Sequence, residues 1–174
     1  MTAKADSAMR PDEDSVSLWE RPGFLVRRLH QISVAIFLDE MKCLEITPVQ
    51  FGALSIIAAN PGIDQSALGA QLGIDRANVA DVVLRLVSSD YVERKASTTD
   101  RRVKTIFITS RGARVLSESL DRLKDVQSRL LQPLAPPERD QFMVLLVRLI
   151  EENNSLGRAP LILNPGKEGA AARP

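Results

Sequence analysis

Residues 63–87 read IDQSALGAQLGIDRANVADVVLRLV and predict two short helices joined by a tight turn. Asp64 and Asp75 stand at the two predicted helix starts, where a carboxylate can accept hydrogen bonds from free backbone N–H groups. Gly73 follows the first helix, and glycine tolerates the left-handed conformation that commonly ends a helix. Three residues separate the two helices, which is the spacing of a helix-turn-helix motif.

The second predicted helix has one apolar face and one polar face. A rotation of about 100° per residue groups four apolar residues on one side: Val79, Val82, Val83 and Leu86. The residues on the opposite side are Ala77, Ala80, Asp81, Leu84 and Arg85. Such a helix suits a DNA major groove, although capped helix pairs also occur in ordinary helical cores.

Arg76 and Asn78 lie in the first turn of this helix. Their forked side chains match the edges of guanine and adenine, so we predict that they read bases. The further DNA contacts that we predict on the two helices are Ser66, Ala77, Asp81 and Arg85.

A hairpin with a charged tip is predicted next. The runs YVERKA (91–96) and VKTIFIT (103–109) are β-prone and enclose the polar loop STTDRR (97–102). Asp100, Arg101 and Arg102 lie at the tip, and arginine at a protruding tip suits the narrow, negative minor groove. A solvated turn is the alternative. Between Ile74 and Gly112 the net charge is +3, against +1 for the whole chain.

Taken together, residues 46–112 resemble the winged helix-turn-helix core of MarR-family transcription regulators. The resemblance is carried by Thr-Pro-x-Gln (47–50), the helix pair, Val-Glu-Arg (92–94), Asp-Arg-Arg (100–102) and Ile-Thr-x-x-Gly (108–112). It implies that Asp100 positions Arg102 for the minor groove.

Two residues depart from the family pattern. Asp90 stands where the family usually has glycine, and Asp81 occupies a position that is often polar or basic. A carboxylate that faces DNA must accept a hydrogen bond from cytosine or hold Arg85 in place.

The rest of the chain predicts a helical dimerisation base. Helical patterns over 18–44 and beyond the hairpin are apolar on more than one side, which favours burial against a second subunit. We therefore expect a fold that is mainly α with a small β-hairpin wing (α+β), in which a winged helix-turn-helix lobe sits on an all-helical base. The predicted regions are a flexible arm (1–17), the base (18–46 and 110–154), the DNA-binding domain (47–109) and an extended tail (155–174).

Helix boundaries can also be predicted. Pro22 should open the first helix, and Thr47 with Gln50 should form a capping box for a helix that runs to about Ala59. Thr109 or Ser110 should cap the helix after the hairpin. A last helix should begin near Pro137-Glu138.

Composition argues against several other classes of protein. The chain has 174 residues, 44% hydrophobic and 26% charged, and its only cysteine cannot form an intramolecular disulfide or a Cys-rich metal site. No apolar run approaches the roughly 18 residues of a membrane span, so we expect a cytoplasmic protein without a membrane partner. The sequence has one histidine, no Gly-rich phosphate loop and no Gly-x-Ser-x-Gly turn, so neither an enzyme nor a cofactor is predicted.

A regulator also needs an input. The family resemblance implies a small phenolic or aromatic carboxylate effector bound between the base and the DNA-binding lobe. The candidates for this site are Trp19, Arg21, His30 and Phe51, because Arg and His can hold a carboxylate and an aromatic ring can stack. Each of them has a structural alternative as a solvated or core side chain.

Two other inputs or roles remain open. Redox sensing through Cys43 is the first, although its neighbours Met41 and Leu44 predict an inert, buried thiol. A helical protein-interaction module that has lost DNA binding is the second, and Asp81 is the residue that favours it.

Overall fold

The computed structural model describes residues 17–96, 104–157, 159 and 161. This part of the chain is mainly helical with a small antiparallel sheet, as predicted. Its elements are α1 (Pro22–Glu40), α2 (Pro48–Ala59), β1 (Ile63–Asp64), α3 (Gln65–Leu72), α4 (Arg76–Ser88), β2 (Val92–Ala96), β3 (Lys104–Ile108), α5 (Ser110–Leu131) and α6 (Pro136–Asn153), with 3-10 turns at Leu18–Glu20 and Asn154–Leu156.

Helices α2, α3 and α4 each begin at a residue whose side chain caps the helix, as predicted. Thr47 and Gln50 form the reciprocal capping box of α2. Asp64 accepts bonds from the backbone of Ser66 and Ala67 at 2.7 and 2.9 Å. The left-handed conformation of Gly73 ends α3. These local bonds fix where each helix begins and ends.

The sheet has three strands, where the sequence predicted two. Its order is β1-β3-β2, all antiparallel, with Ile63 beside Ile106 and Arg94 beside Ile106 on the other side. The backbone N–H of Gly62, at a φ of 85°, donates to the Ile106 carbonyl at 3.0 Å. This turn brings Ile63 alongside β3. A strand of two residues is too short to produce an alternating pattern in the sequence.

The hydrophobic core lies where α1, α2, α3, α4, the sheet and α5 meet. Its largest buried side chains are Met41, Ile46, Leu54, Ile57, Leu68, Val79, Val83, Leu86, Val92 and Ile106. The core therefore supports one side of α4 and leaves the other side free.

Gly112, in the first turn of α5, lies directly against the start of the wing. A Cβ atom added at Gly112 would overlap the Tyr91 carbonyl oxygen and lie 2.9 Å from its carbonyl carbon. That oxygen accepts a bond from the Thr109 backbone at 3.0 Å, and the Thr109 hydroxyl caps α5 by accepting from the Gly112 N–H at 3.0 Å. Only glycine leaves room for this approach.

Long-range polar contacts join α1 to α5. Arg129 Nη1 donates to Asp39 Oδ2 at 2.7 Å and to Glu40 Oε1 at 2.6 Å. The hydrogen bond and charge of Arg129 hold the pKa of the Asp39 carboxyl below its ordinary value. Within the described residues, none of the helices has the length and apolar character needed to cross a membrane.

The segment after α6 reaches the turn of the helix-turn-helix. Asn154 holds the backbone of Leu161 by two hydrogen bonds, of 2.7 and 2.8 Å. The side chain of Leu161 lies against Gly73, at 3.4 Å from the position that a Cβ would take there.

Candidate nucleic-acid interface

Helix α4 presents one face to the core and the other to solvent. Val79, Val83 and Leu86 are at most 1% exposed. The exposed residues on the outward side are Arg76, Ala77, Asn78, Asp81, Leu84 and Arg85. The division of the helix into two faces is as predicted, so the residues of α4 that were predicted to contact DNA share an accessible surface.

The side chain of Asn78 is held in place by the helix cap. Asp75 accepts a bond from the Asn78 backbone N–H through Oδ1 and a second bond from Asn78 Nδ2 through Oδ2, both at 2.9 Å. Among the described residues, nothing else bonds to the second Nδ2 hydrogen or to Oδ1 of Asn78, and these two groups are the donor and acceptor pair that adenine requires.

Asp81 is paired with Arg85, one turn further along α4. Arg85 Nε donates to Asp81 Oδ2 at 2.9 Å, and the two side chains are 67% and 58% exposed. Of the two arrangements expected for Asp81, the protein therefore has the second, in which the carboxylate holds the arginine.

A groove of about 680 Å³ lies beside α4. It is lined by the starts of α3 and α4 and by one face of β2 and β3, and it contains Ser66 together with the cationic side chains of Arg76, Arg94 and Lys104. Asp64 also lines it, but its carboxylate accepts backbone bonds from α3. The groove is therefore suited to an anion such as a DNA phosphate.

Arg94 and Lys104 were not singled out as contacts from the sequence. They come together because Arg94 pairs with Ile106 in the sheet, and Lys104, two residues before Ile106, shares its face. The strand register is the signal that identifies them. The predicted wing-tip residues Asp100, Arg101 and Arg102 lie outside the described residues, between β2 and β3.

The four effector candidates are not gathered into one cluster. The ring of Trp19 packs edge-on against Phe24 at 5.3 Å, whereas that of Phe51 packs against Phe37 at 5.9 Å. Arg21 and His30 are exposed, and their separation of nine positions along the helix corresponds to roughly 14 Å.

The expectation of a buried thiol at Cys43 is wrong, because this side chain is exposed. Helix α1 ends at Glu40, and the following turn directs Met41 and Leu44 into the core. Cys43, between them, points outward. Helical spacing could not predict this because the helix stops before Cys43.

A helix-turn-helix with an exposed second helix, backed by a three-stranded sheet and flanked by a cationic groove, defines a winged helix-turn-helix DNA-binding protein. Comparison with known proteins agrees, since residues 46–104 match the model of the MarR family. One relative is the putative transcriptional regulatory protein for the hcr operon of Thauera aromatica. It is 30% identical to this chain over 133 residues, and the match covers 76% of this chain and 80% of that protein. The chain belongs to the MarR family of DNA-binding transcriptional regulators, and it is not an enzyme.

Solved structures of regulators have the same fold. PcaV of Streptomyces coelicolor, in complex with its natural ligand, has a TM-score of 0.70 and 30% identity, covering 79% of this chain and 96% of PcaV. The repressor CouR, bound to a 23-mer DNA duplex, has a TM-score of 0.71 and 27% identity, and the match covers 76% of this chain and 94% of CouR. BpsR of Bordetella bronchiseptica, whose DNA binding is regulated by 6-hydroxynicotinic acid, has a TM-score of 0.72 and 25% identity. The match covers 77% of this chain and 96% of BpsR.

Proposed function

We propose that the protein is a homodimeric repressor that binds a pseudo-palindromic operator in the cytoplasm and is released by a small aromatic carboxylate. The observation that carries the DNA-binding part is the outward face of α4. Arg76, Asn78 and Arg85 are exposed there on a helix whose other face is fixed in the core. In this proposal these three side chains contact the major groove and Arg102 contacts the minor groove.

Two surfaces support a dimer. Helix α6 has no buried residue within the single chain, although it carries large apolar side chains. The apolar residues exposed on α1 and α6 are Leu25, Val26, Leu29, Ile32 and Leu38, and Met143, Val144, Leu145, Val147, Leu149 and Ile150. Exposed apolar side chains in this number favour burial against a second subunit. A two-fold dimer would present its recognition helices about 34 Å apart, to half-sites about 10 bp apart.

The phosphate contacts in this proposal come from the groove beside α4. Arg94 and Lys104 would neutralise backbone phosphates while Asn78 faces the bases. Each phosphate that is neutralised releases counterions and steepens the salt dependence of binding by about one unit. Operator affinity should therefore fall sharply between low and physiological salt.

The proposed input is an aromatic acid. BpsR responds to 6-hydroxynicotinic acid and PcaV binds a natural ligand, which supports a ligand-controlled regulator here. In our proposal Arg21 and His30 hold the carboxylate of the effector, and Trp19 and Phe51 contact its ring. Because these residues are spread over the 3-10 turn, α1 and α2, a ligand that gathers them would change the angle between base and lobe.

The test is a mobility shift with purified protein and a DNA fragment from its own upstream region, titrated with salt and repeated with a panel of aromatic acids. Tight, salt-sensitive binding that one acid abolishes is the expected result. If no acid releases the DNA, the effector part is refuted while DNA binding stands. If neither this fragment nor genome-wide operator selection yields a bound sequence, the repressor is refuted in favour of an interaction module.

Redox control is a second candidate input, and the exposure of Cys43 favours it. An exposed thiol is accessible to oxidants and to a second cysteine from a partner chain. Loss of operator binding on treatment with hydrogen peroxide, restored by a thiol reductant and absent from Cys43→Ser, would support this input over an aromatic acid.

A further inference from the structure

The outward face of α4 carries a carboxylate where it would meet a polyanion. Asp81 lies three residues after Asn78 and four before Arg85, so the three side chains follow one stripe of the helix. The Asp81 side chain is 58% exposed.

Helix stability does not account for an aspartate at this position. Exposed ion pairs between residues four apart add little to the stability of a helix. A negative charge at the DNA surface also opposes attraction to the phosphates, and this reduces affinity for every sequence equally. Asp81 therefore reduces general affinity for DNA, and this cost is useful only if the carboxylate discriminates between sequences.

The geometry of the pair leaves the reading atoms free. Arg85 is bonded to Asp81 through Nε, so its two terminal Nη groups have no side-chain partner among the described residues. The second carboxylate oxygen, Asp81 Oδ1, has no hydrogen bond within the described residues either. The two Nη groups match the O6 and N7 acceptors of guanine, and a carboxylate oxygen matches the N4 amino group of cytosine.

On the basis of the operator-binding role proposed above, we propose that Asp81 and Arg85 form one reading unit that selects a cytosine beside a guanine in each half-site. Asp81 Oδ1 accepts from the cytosine N4 amino group, and Asp81 Oδ2 holds the Arg85 guanidinium toward the guanine of the adjoining base pair. The ion pair favours this orientation of the arginine before DNA arrives, so less side-chain freedom is lost on binding.

The carboxylate also rejects other bases at its position. Guanine presents only acceptors, O6 and N7, to the major groove, and thymine presents the O4 acceptor and a methyl group. Either base would face Asp81 Oδ1 without a donor. Replacement of the cytosine by guanine or thymine should therefore reduce affinity by about 5- to 150-fold, the range for one specific base contact.

The test compares wild-type protein with Asp81→Asn and a control variant of equal charge, Asp90→Asn. Asp90 is exposed at the turn after α4 and has a φ of 60°, which asparagine tolerates. Both variants lose one negative charge, but only the first loses the carboxylate on the outward face. Each protein is used to select duplexes from a pool with a randomised 24-base-pair core, and the base preferences are read by sequencing.

The wild type and Asp90→Asn are expected to select the same cytosine and guanine in both half-sites. Asp81→Asn should lose the cytosine preference, shift it toward adenine, weaken the neighbouring guanine preference and bind random duplex more tightly. An unchanged preference profile in Asp81→Asn, or an equal loss in Asp90→Asn, would overturn the reading unit. A wild type that selects no sequence would overturn the operator proposal as well.

Discussion

Gly112→Ala should destabilise the protein by about 2 kcal/mol, although alanine is normally the better residue in a helix. The added Cβ would overlap the Tyr91 carbonyl oxygen and lie 2.9 Å from its carbon. Both atoms belong to the backbone, so no flexible side chain can move aside. Restoring normal contact distances of about 3.5 Å requires α5 and the start of β2 to separate by roughly 1 Å or more.

The magnitude follows from three contributions. Overpacking at a tight contact costs about 1–3 kcal/mol. Separation of α5 from β2 weakens the hydrogen bond from the Thr109 backbone to the Tyr91 carbonyl, which costs about 1 kcal/mol. The higher helix propensity of alanine returns about 1 kcal/mol. The net effect is a loss of about 2 kcal/mol.

The control for this substitution is Gly23→Ala near the start of α1, where an added Cβ meets nothing within 4 Å. Urea denaturation at one fixed protein concentration measures both variants, because the stability of the proposed dimer would depend on concentration. Gly23→Ala should be neutral or stabilised by up to about 1 kcal/mol. If Gly112→Ala were as stable as wild type, the inferred contact between α5 and β2 would be wrong.

Four further outcomes are expected. Asn78→Ala should relax discrimination at one base pair by about 1–3 kcal/mol, and unchanged competition among operators with single substitutions would remove Asn78 from the readers. Arg102→Ala should lower operator affinity while sedimentation finds the same dimer; equal affinity would argue against a wing contact. The hydrogen bond from Arg129 lowers the folded-state pKa of Asp39. The ionised Asp39 carboxylate therefore stabilises the folded protein at pH values above its unfolded-state pKa, and this stabilisation is lost as the pH falls through its folded-state pKa. Asp39→Asn should therefore be less stable than wild type at neutral pH in thermal melts, and the difference in stability should narrow as the pH falls through the lowered pKa of Asp39. Cys43→Ser should leave operator binding and its release by an aromatic acid unchanged, and a variant that no longer releases DNA on addition of the acid would make the thiol part of the response.

The sequence predicts features that neighbouring residues determine. Asp64 and Asp75 each bond to backbone groups two or three residues away, so the pattern that predicts a helix start contains both partners. The two faces of α4 follow in the same way from the helical repeat, which is why Val83 is buried and Arg85 is exposed.

The features that sequence reasoning missed depend on distant pairings. Strand β1 exists because Ile63 pairs with Ile106, and no pattern within two residues can indicate that partner. Arg94 and Lys104 line one groove because of the register between β2 and β3. The orientation of Cys43 depends on the residue at which α1 ends.

The contact between Leu161 and Gly73 links the end of α6 to the turn between α3 and α4. Helix α5 already connects the DNA-binding lobe to the helical base through the backbone. The contact between Leu161 and Gly73 is a second connection between these two parts, and it is made by side-chain packing. If the segment after α6 or the turn between α3 and α4 lost its structure, apolar surface of the other would become exposed. The two regions should therefore melt cooperatively. Calorimetry should record a single heat-absorption peak, and amide hydrogens of α3 should exchange faster when Leu161 is replaced by alanine.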